Sequence, residues 1–189
     1  MAYMTKAGLP ALEDLVLEGV KIKGVPNFSG QERRNPKTGD IVNSKGSRNC
    51  LIVLDPDKAE ELRALGWPVQ HKVDFNGNEY DAMTIHLGYA VEPYKIAYVL
   101  DGKTTTLYSR MSSTAKDEDN VNMLDNFKIS HLNVKLHAAA YNVSGNKGYK
   151  AWIQVMYAYA ENLDPWETEG GGDIAEEQIM NETAPFDMA

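Results

Sequence analysis

The last 29 residues of this 189-residue chain, Glu161 to Ala189, contain no lysine and no arginine. They hold nine of the 27 acidic residues. The rest carries all 19 basic residues against 18 acids, so the formal charge of −8 splits into a body near +1 and a tail of −9. The acidity is separable, and the body is free to bind an anion. Cysteine is nearly absent too. Cys50 alone forms no internal disulfide, which fits a reducing cytosol. It lies in the apolar run Cys50-Leu51-Ile52-Val53-Leu54, which reads as a buried small hydrophobe rather than a reactive thiol. No stretch approaches the ~18 apolar residues of a membrane span. Met1-Ala2-Tyr3-Met4-Thr5-Lys6 lacks the apolar core of a signal peptide. No membrane partner is expected.

Catalytic and metal-binding patterns are also missing. The four histidines, His71, His86, His131 and His137, are scattered, with no His-x-Glu and no His-Glu-x-x-His. His131 and His137 share a strand face, but six strand residues separate them by roughly 20 Å. Neither a Gly-Lys-Ser/Thr phosphate loop nor a Gly-x-Ser-x-Gly elbow occurs. Asp55 and Asp57 resemble a two-carboxylate metal pair, and a Mg²⁺-dependent nuclease is the enzyme reading they allow. Helix capping accounts for them better. The expectation is no enzyme, no metal and no cofactor.

What is present is mostly β. Val16 to Val25 reads as a strand, and Pro26 to Asn49 as a long loop or a hairpin with a mobile tip. Cys50 to Leu54 is a short buried strand. Asp55 and Pro56 open a helix through Leu65 that Gly66 stops. Strands follow over Val69–Val73 and Tyr80–Val91 around Asn76-Gly77. Tyr94–Leu100 and Thr104–Tyr108 form a hairpin around Asp101-Gly102. Ser112 to Asn126 is a polar loop with room for one helical turn. Phe127 to Val143 alternates: Leu132, Val134, Leu136, Ala138 and Ala140 point one way. His131, Asn133, Lys135, His137 and Tyr141 point the other. A turn at 144–148 leads into Tyr149 to Ala160. About seven strands and one short helix argue for an all-β barrel or sandwich over residues 1–161. Residues 162–189 bring too little apolar surface to offset ordering entropy and are expected to be disordered.

Aromatics interleave with bases on these β segments. Tyr94-Lys95 and Tyr98 lie on one strand, and Tyr108-Ser109-Arg110 ends its partner. Tyr149-Lys150 and Trp152 open the last strand, with Tyr141 and Lys147 just before it. The long loop adds Asn27-Phe28, Arg33-Arg34, Lys45 and Arg48, and Trp67 and Lys72 follow the helix. Unpaired bases stack on such rings for roughly 1–3 kcal/mol each, and adjacent Lys and Arg neutralise phosphates. A duplex hides its base faces, so exposed rings favour single strands. Most strand aromatics nevertheless pack in cores or across strands. Trp152 leans to the core, because Ile153 and Val155 cannot both share its face.

Asn27-Phe28-Ser29-Gly30, Gly46-Ser47-Arg48-Asn49 and Gly66-Trp67-Pro68-Val69 form an ordered pattern. It continues with Leu124-Asp125 and Asn142-Val143-Ser144-Gly145-Asn146-Lys147-Gly148-Tyr149-Lys150-Ala151. Over about Glu18 to Glu161 the chain resembles a family of bacteriophage single-stranded-DNA-binding proteins with an OB-like fold. The resemblance implies DNA contacts near Asn27, Phe28, Arg48 and Trp67 and along the Tyr149-Lys150 strand. The chain departs from the pattern in its long Gly30–Gly46 loop, and Cys50 stands where an aromatic is expected.

The tail, outside that stretch, fits the same class of proteins. Bacterial single-strand binders end in an acidic tail closed by Ile-Pro-Phe that recruits replication proteins. Here Pro185-Phe186 precedes Asp187-Met188-Ala189, so the terminal carboxylate is not on the phenylalanine. Trp166, Pro185 and Phe186 are the expected partner contacts, although acidic tails also serve solubility alone. The expected function is sequence-tolerant single-stranded-DNA binding in phage replication, recombination or repair, in the cytoplasm of the infected host. A homodimer is compatible with it. The rival is a phage structural or assembly β-protein without nucleic-acid affinity.

Overall fold

The structure is a computed structural model, and it describes residues 4–88, 94–108 and 119–161. Among the described residues, ten strands, one α-helix and one 3₁₀ turn follow in order. They are β1 (Leu15–Asn27), β2 (Arg33–Arg34), β3 (Ile41–Asn43), β4 (Arg48–Leu54), α1 (Pro56–Leu65), β5 (Val69–Val73) and β6 (Glu79–Leu87). Then come β7 (Lys95–Leu100), β8 (Lys103–Leu107), the 3₁₀ turn η1 (Val121–Asn126), β9 (Lys128–Val143) and β10 (Asn146–Glu161). The long Pro26–Asn49 connection is thus a small hairpin, β2–β3, held over the main sheet. The expected tail, with Trp166, Pro185 and Phe186, lies outside the described residues, as does Arg110.

Eight strands pair in the order β5-β6-β4-β1-β9-β10-β7-β8. A parallel contact between β6 and β10, Ala151 with Ile85 and Trp152 with His86, brings the sheet back on itself. The circuit β1-β4-β6-β10-β9 is therefore barrel-like. Only two residue pairs make the return contact, so the barrel is not fully closed. This suits an OB-like architecture, a five-stranded, partly open barrel.

The long strands follow their alternation. Leu132, Val134 and Leu136 of β9 are buried, and opposite them Ala151, Ile153, Met156 and Ala158 of β10 point into the same core. Ala140, expected inward, is only half-buried near the tip of the β9–β10 hairpin. β10 holds its pattern through an irregularity. Ile153 pairs with Leu136 and Val155 with Lys135, leaving Gln154 as a bulge residue. Strict alternation would put Trp152 and Tyr157 on opposite faces. The bulge puts both outward.

α1 begins at Pro56 as expected, but the Asp55 side chain makes no capping bond. Only its carbonyl enters the helix, accepting the Ala59 N–H at 2.8 Å. The helix ends in a Schellman motif: Trp67 N–H donates to the Leu62 carbonyl at 3.0 Å and Gly66 N–H to Arg63 at 3.1 Å.

Candidate nucleic-acid interface

The recurring motifs meet in one place and hold the fold. The Asp125 carboxylate accepts the backbone N–H groups of Phe28 at 2.7 Å and Ser29 at 2.8 Å. Asn27 is buried, accepts the Gln31 N–H at 3.0 Å and donates to the Gln31 carbonyl at 2.8 Å. Gly30 and Gly46 pinch the base of the β2–β3 hairpin. The Gly46 N–H donates to the Gly30 carbonyl at 2.7 Å, and a Cβ on Gly30 would come within 3.2 Å of the Gly46 backbone. Arg48 is committed to Asp119 through both terminal guanidinium nitrogens.

These placements correct several sequence expectations. Phe28 is 0% exposed and Trp67 4%, so neither has a ring face to offer a base. Asn27 is spent on its own loop, and Arg48 is paired and largely shielded. Cys50 is buried opposite Ile85, so the aromatic missing there is missing from the core and not from a binding surface. Tyr94 and Tyr98 pack against the core, and Tyr98 lies 5.0 Å from the Phe127 ring. The Tyr108 backbone N–H bonds to the Asn120 side chain at 2.7 Å at the end of β8, with the ring half-buried.

A different set of expected residues surrounds a groove of about 350 Å³. One wall is the β2–β3 hairpin with Ile41, Val42, Asn43 and Ser44. The floor is Asn49 of β4 with Thr84 and His86 of β6. Tyr141, Tyr149 and Lys150, from the β9–β10 hairpin, make the far wall. Gly148 lies opposite Tyr141 in the ladder, and a Cβ there would sit 2.6 Å from the Tyr141 hydroxyl. Glycine is what lets this ring lie across the strand. The Tyr149 hydroxyl is anchored on the Pro10 carbonyl.

Trp152 continues this wall. It is partly buried on the outer face rather than in the core, because Ala151 and Ile153 on either side of it both point inward. Its ring lies 5.6 Å from His86, and the Lys150 ammonium sits over it at 5.0 Å. Burial lowers the Lys150 pKa. Burial first, then the Lys150 charge, pushes His86 down to about 3, so it is a neutral ring beside the tryptophan. Lys45 and Arg34 are exposed on the hairpin, with Arg34 paired to Glu32 at 2.8 Å, and Lys147 is exposed at the β9–β10 tip. Arg33 donates to the Val25 and Pro26 carbonyls at 2.8 and 2.7 Å, which ties the hairpin to β1. Lys72 is 7% exposed and lines, with Arg33 and Thr84, a small cavity behind it. Lys95 is exposed on β7, away from the groove.

In barrel order β4 and β6 are the second and third strands. The 28–47 connection and the β9–β10 turn flank them, and this is the face on which OB folds take oligonucleotides. The sequence matches the family described as "Putative phage ssDNA-binding domain" over residues 4–179. The chain belongs to this phage ssDNA-binding family. The match runs beyond β10 into the acidic segment. No curated protein matches the chain. Among the described residues, no cluster of His, Cys, Asp or Glu could hold a metal ion, and no helix is long and apolar enough to cross a membrane.

The sequence reading missed His86 and Thr84 as groove floor, and Tyr157 and Tyr159 as outward rings. Alternation from Trp152 with one slip at Gln154 is the signal that would have found the last two.

Proposed function

We propose that this family member is a non-catalytic, sequence-tolerant single-stranded-DNA-binding protein that serves replication, recombination or repair of phage DNA in the infected cell. The observation that carries this reading is the groove on the β4–β6 face, where Trp152, Tyr141 and His86 stand beside Lys150. Bases stack on Trp152 and Tyr141, and every base has a π face, so no sequence is read. Lys150, Lys45, Lys147 and Arg34 meet the phosphates. A phosphate beside Lys150 favours its charged form and so offsets the desolvation that lowers its pKa.

Residues 1–161 form the DNA-binding unit in this reading, and 162–189 an acidic tail that competes with DNA and presents Trp166, Pro185 and Phe186 to replication proteins. Truncation after Glu161 removes eight acids. It is expected to tighten oligo-dT binding at low salt, and the gain should vanish as salt screens the charges. Equal affinity of both forms at every salt concentration would remove the tail from the mechanism.

The reading is tested by filter binding with oligo-dT and a duplex of equal length. Oligo-dT should win, and log affinity should fall with log salt at about 0.7 per phosphate neutralised. Preference for duplex would falsify the assignment. Affinity for neither would favour a structural or assembly role.

A further inference from the structure

Beyond the groove, the outer face of β10 carries two more rings in line with Trp152. Because the Gln154 bulge restores the phase, Tyr157 and Tyr159 point outward, opposite Asn133 and His131 of β9. Each ring is backed. The Lys95 ammonium lies over Tyr157 at 5.3 Å. Tyr159 stacks on His131 with centroids 4.3 Å apart and planes 12° from parallel, and Asn133 reaches its hydroxyl at 3.5 Å. Both rings are partly accessible. Two partly accessible rings, one beside an ammonium and one stacked on an imidazole, thus lie on the face of β10 opposite the core.

The occupant is argued from continuity and charge. The face begins at Trp152, where the groove ends. It runs along one strand for seven residues, roughly 20 Å once the bulge is allowed for. Lys95 flanks it on β7 and Lys135 on β9, the latter 3.4 Å from Asp14. Lys128 closes its far end, 3.2 Å from Glu161. A duplex could not present base faces to these rings, whereas a single strand leaving the groove could.

We propose that the outer face of β10 is a second, contiguous track for the same DNA strand, with Tyr157 and the Tyr159–His131 pair as stacking platforms and Lys95 as a phosphate contact. The inference rests on the groove reading and extends it: short oligonucleotides fill the groove alone, and longer ones also occupy the track.

The test compares oligo-dT of about 5 and about 30 nucleotides, within and beyond the range of OB site sizes. Tyr157→Leu/Tyr159→Leu keeps apolar packing and removes the π faces. The variant should bind the short oligonucleotide as the wild type does, bind the long one on the order of tenfold or more weakly, and cover fewer nucleotides of poly-dT. Lys95→Gln, at an exposed position that cannot unfold the sheet, should lower the salt slope for the long oligonucleotide only, by about 0.7. Unchanged long-oligonucleotide affinity and site size would overturn the track, and so would equal losses at both lengths. Failure of the groove reading looks different: Trp152→Ala would then leave both lengths bound as before.

Discussion

Two aromatic regions flank the same sheet, and they do opposite work. Around Asp125 the motif residues Asn27, Phe28 and Gly30 lock the chain, with Phe28 fully buried and backbone N–H groups bonded to a carboxylate. On the β9–β10 wall Tyr141, Lys150 and Trp152 are only partly buried and line or extend the groove. Both regions carry residues that a pattern search singles out. Their burial separates them: the first shapes the scaffold that holds the second in place.

The largest effect expected from breaking this contrast is on stability. Phe28→Ala empties a fully enclosed site and should cost about 3–5 kcal/mol in urea unfolding. Where the variant still folds, its oligo-dT affinity should change little. Trp152→Ala should do the reverse: weaken oligo-dT by about 1–3 kcal/mol and lower stability less than Phe28→Ala does. If the two substitutions behave alike, the division between scaffold and surface fails.

His86 sharpens the comparison, because it is largely buried yet forms groove floor. The folded protein keeps it neutral down to about pH 3, while the unfolded chain takes up a proton near its ordinary value of 6.5. Acid therefore favours the unfolded state across that window. Stability should fall as pH drops below 6.5, by up to about 1.4 kcal/mol per unit. His86→Gln should flatten the curve between 6.5 and the carboxylate range. Asp74, bonded by the Asn78 N–H, titrates below that window, its pKa being lowered from 3.8. An unaltered pH profile in His86→Gln would show the group is not held neutral by burial. The smallest effect belongs to Lys45→Gln on the exposed hairpin: no loss of stability, and a salt slope about 0.7 shallower.

Much of this was legible in the sequence. The alternation from Leu132 to Ala138 gave β9 its two faces, and Pro56 and Gly66 bounded the helix. The order of short motifs pointed to the family. What was not legible is orientation. Asn27-Phe28 and Gly66-Trp67 recur because they close a loop and a helix end, and a motif carries no mark of which way its ring faces. Under strict period two Ile153 and Val155 cannot both share the face of Trp152, which reads as turning the ring toward the core. Ala151 and Ile153 both turn inward and leave Trp152 on the outer face, and a single bulge residue, Gln154, then carries Val155 outward as well. The β2–β3 hairpin was hidden for another reason. Its strands are two and three residues long, too short for any periodicity, and its docking depends on Arg33 reaching the carbonyls of Val25 and Pro26.

The central claim, that a single strand lies on the Trp152 wall, is tested most directly by tryptophan fluorescence in a Trp166→Phe background. Trp67 is buried, so stacking should quench Trp152 alone. Titration with oligo-dT should give a saturable quench that disappears in Trp152→Phe. An equal quench in both proteins, or none while filter binding shows the DNA bound, would contradict the account.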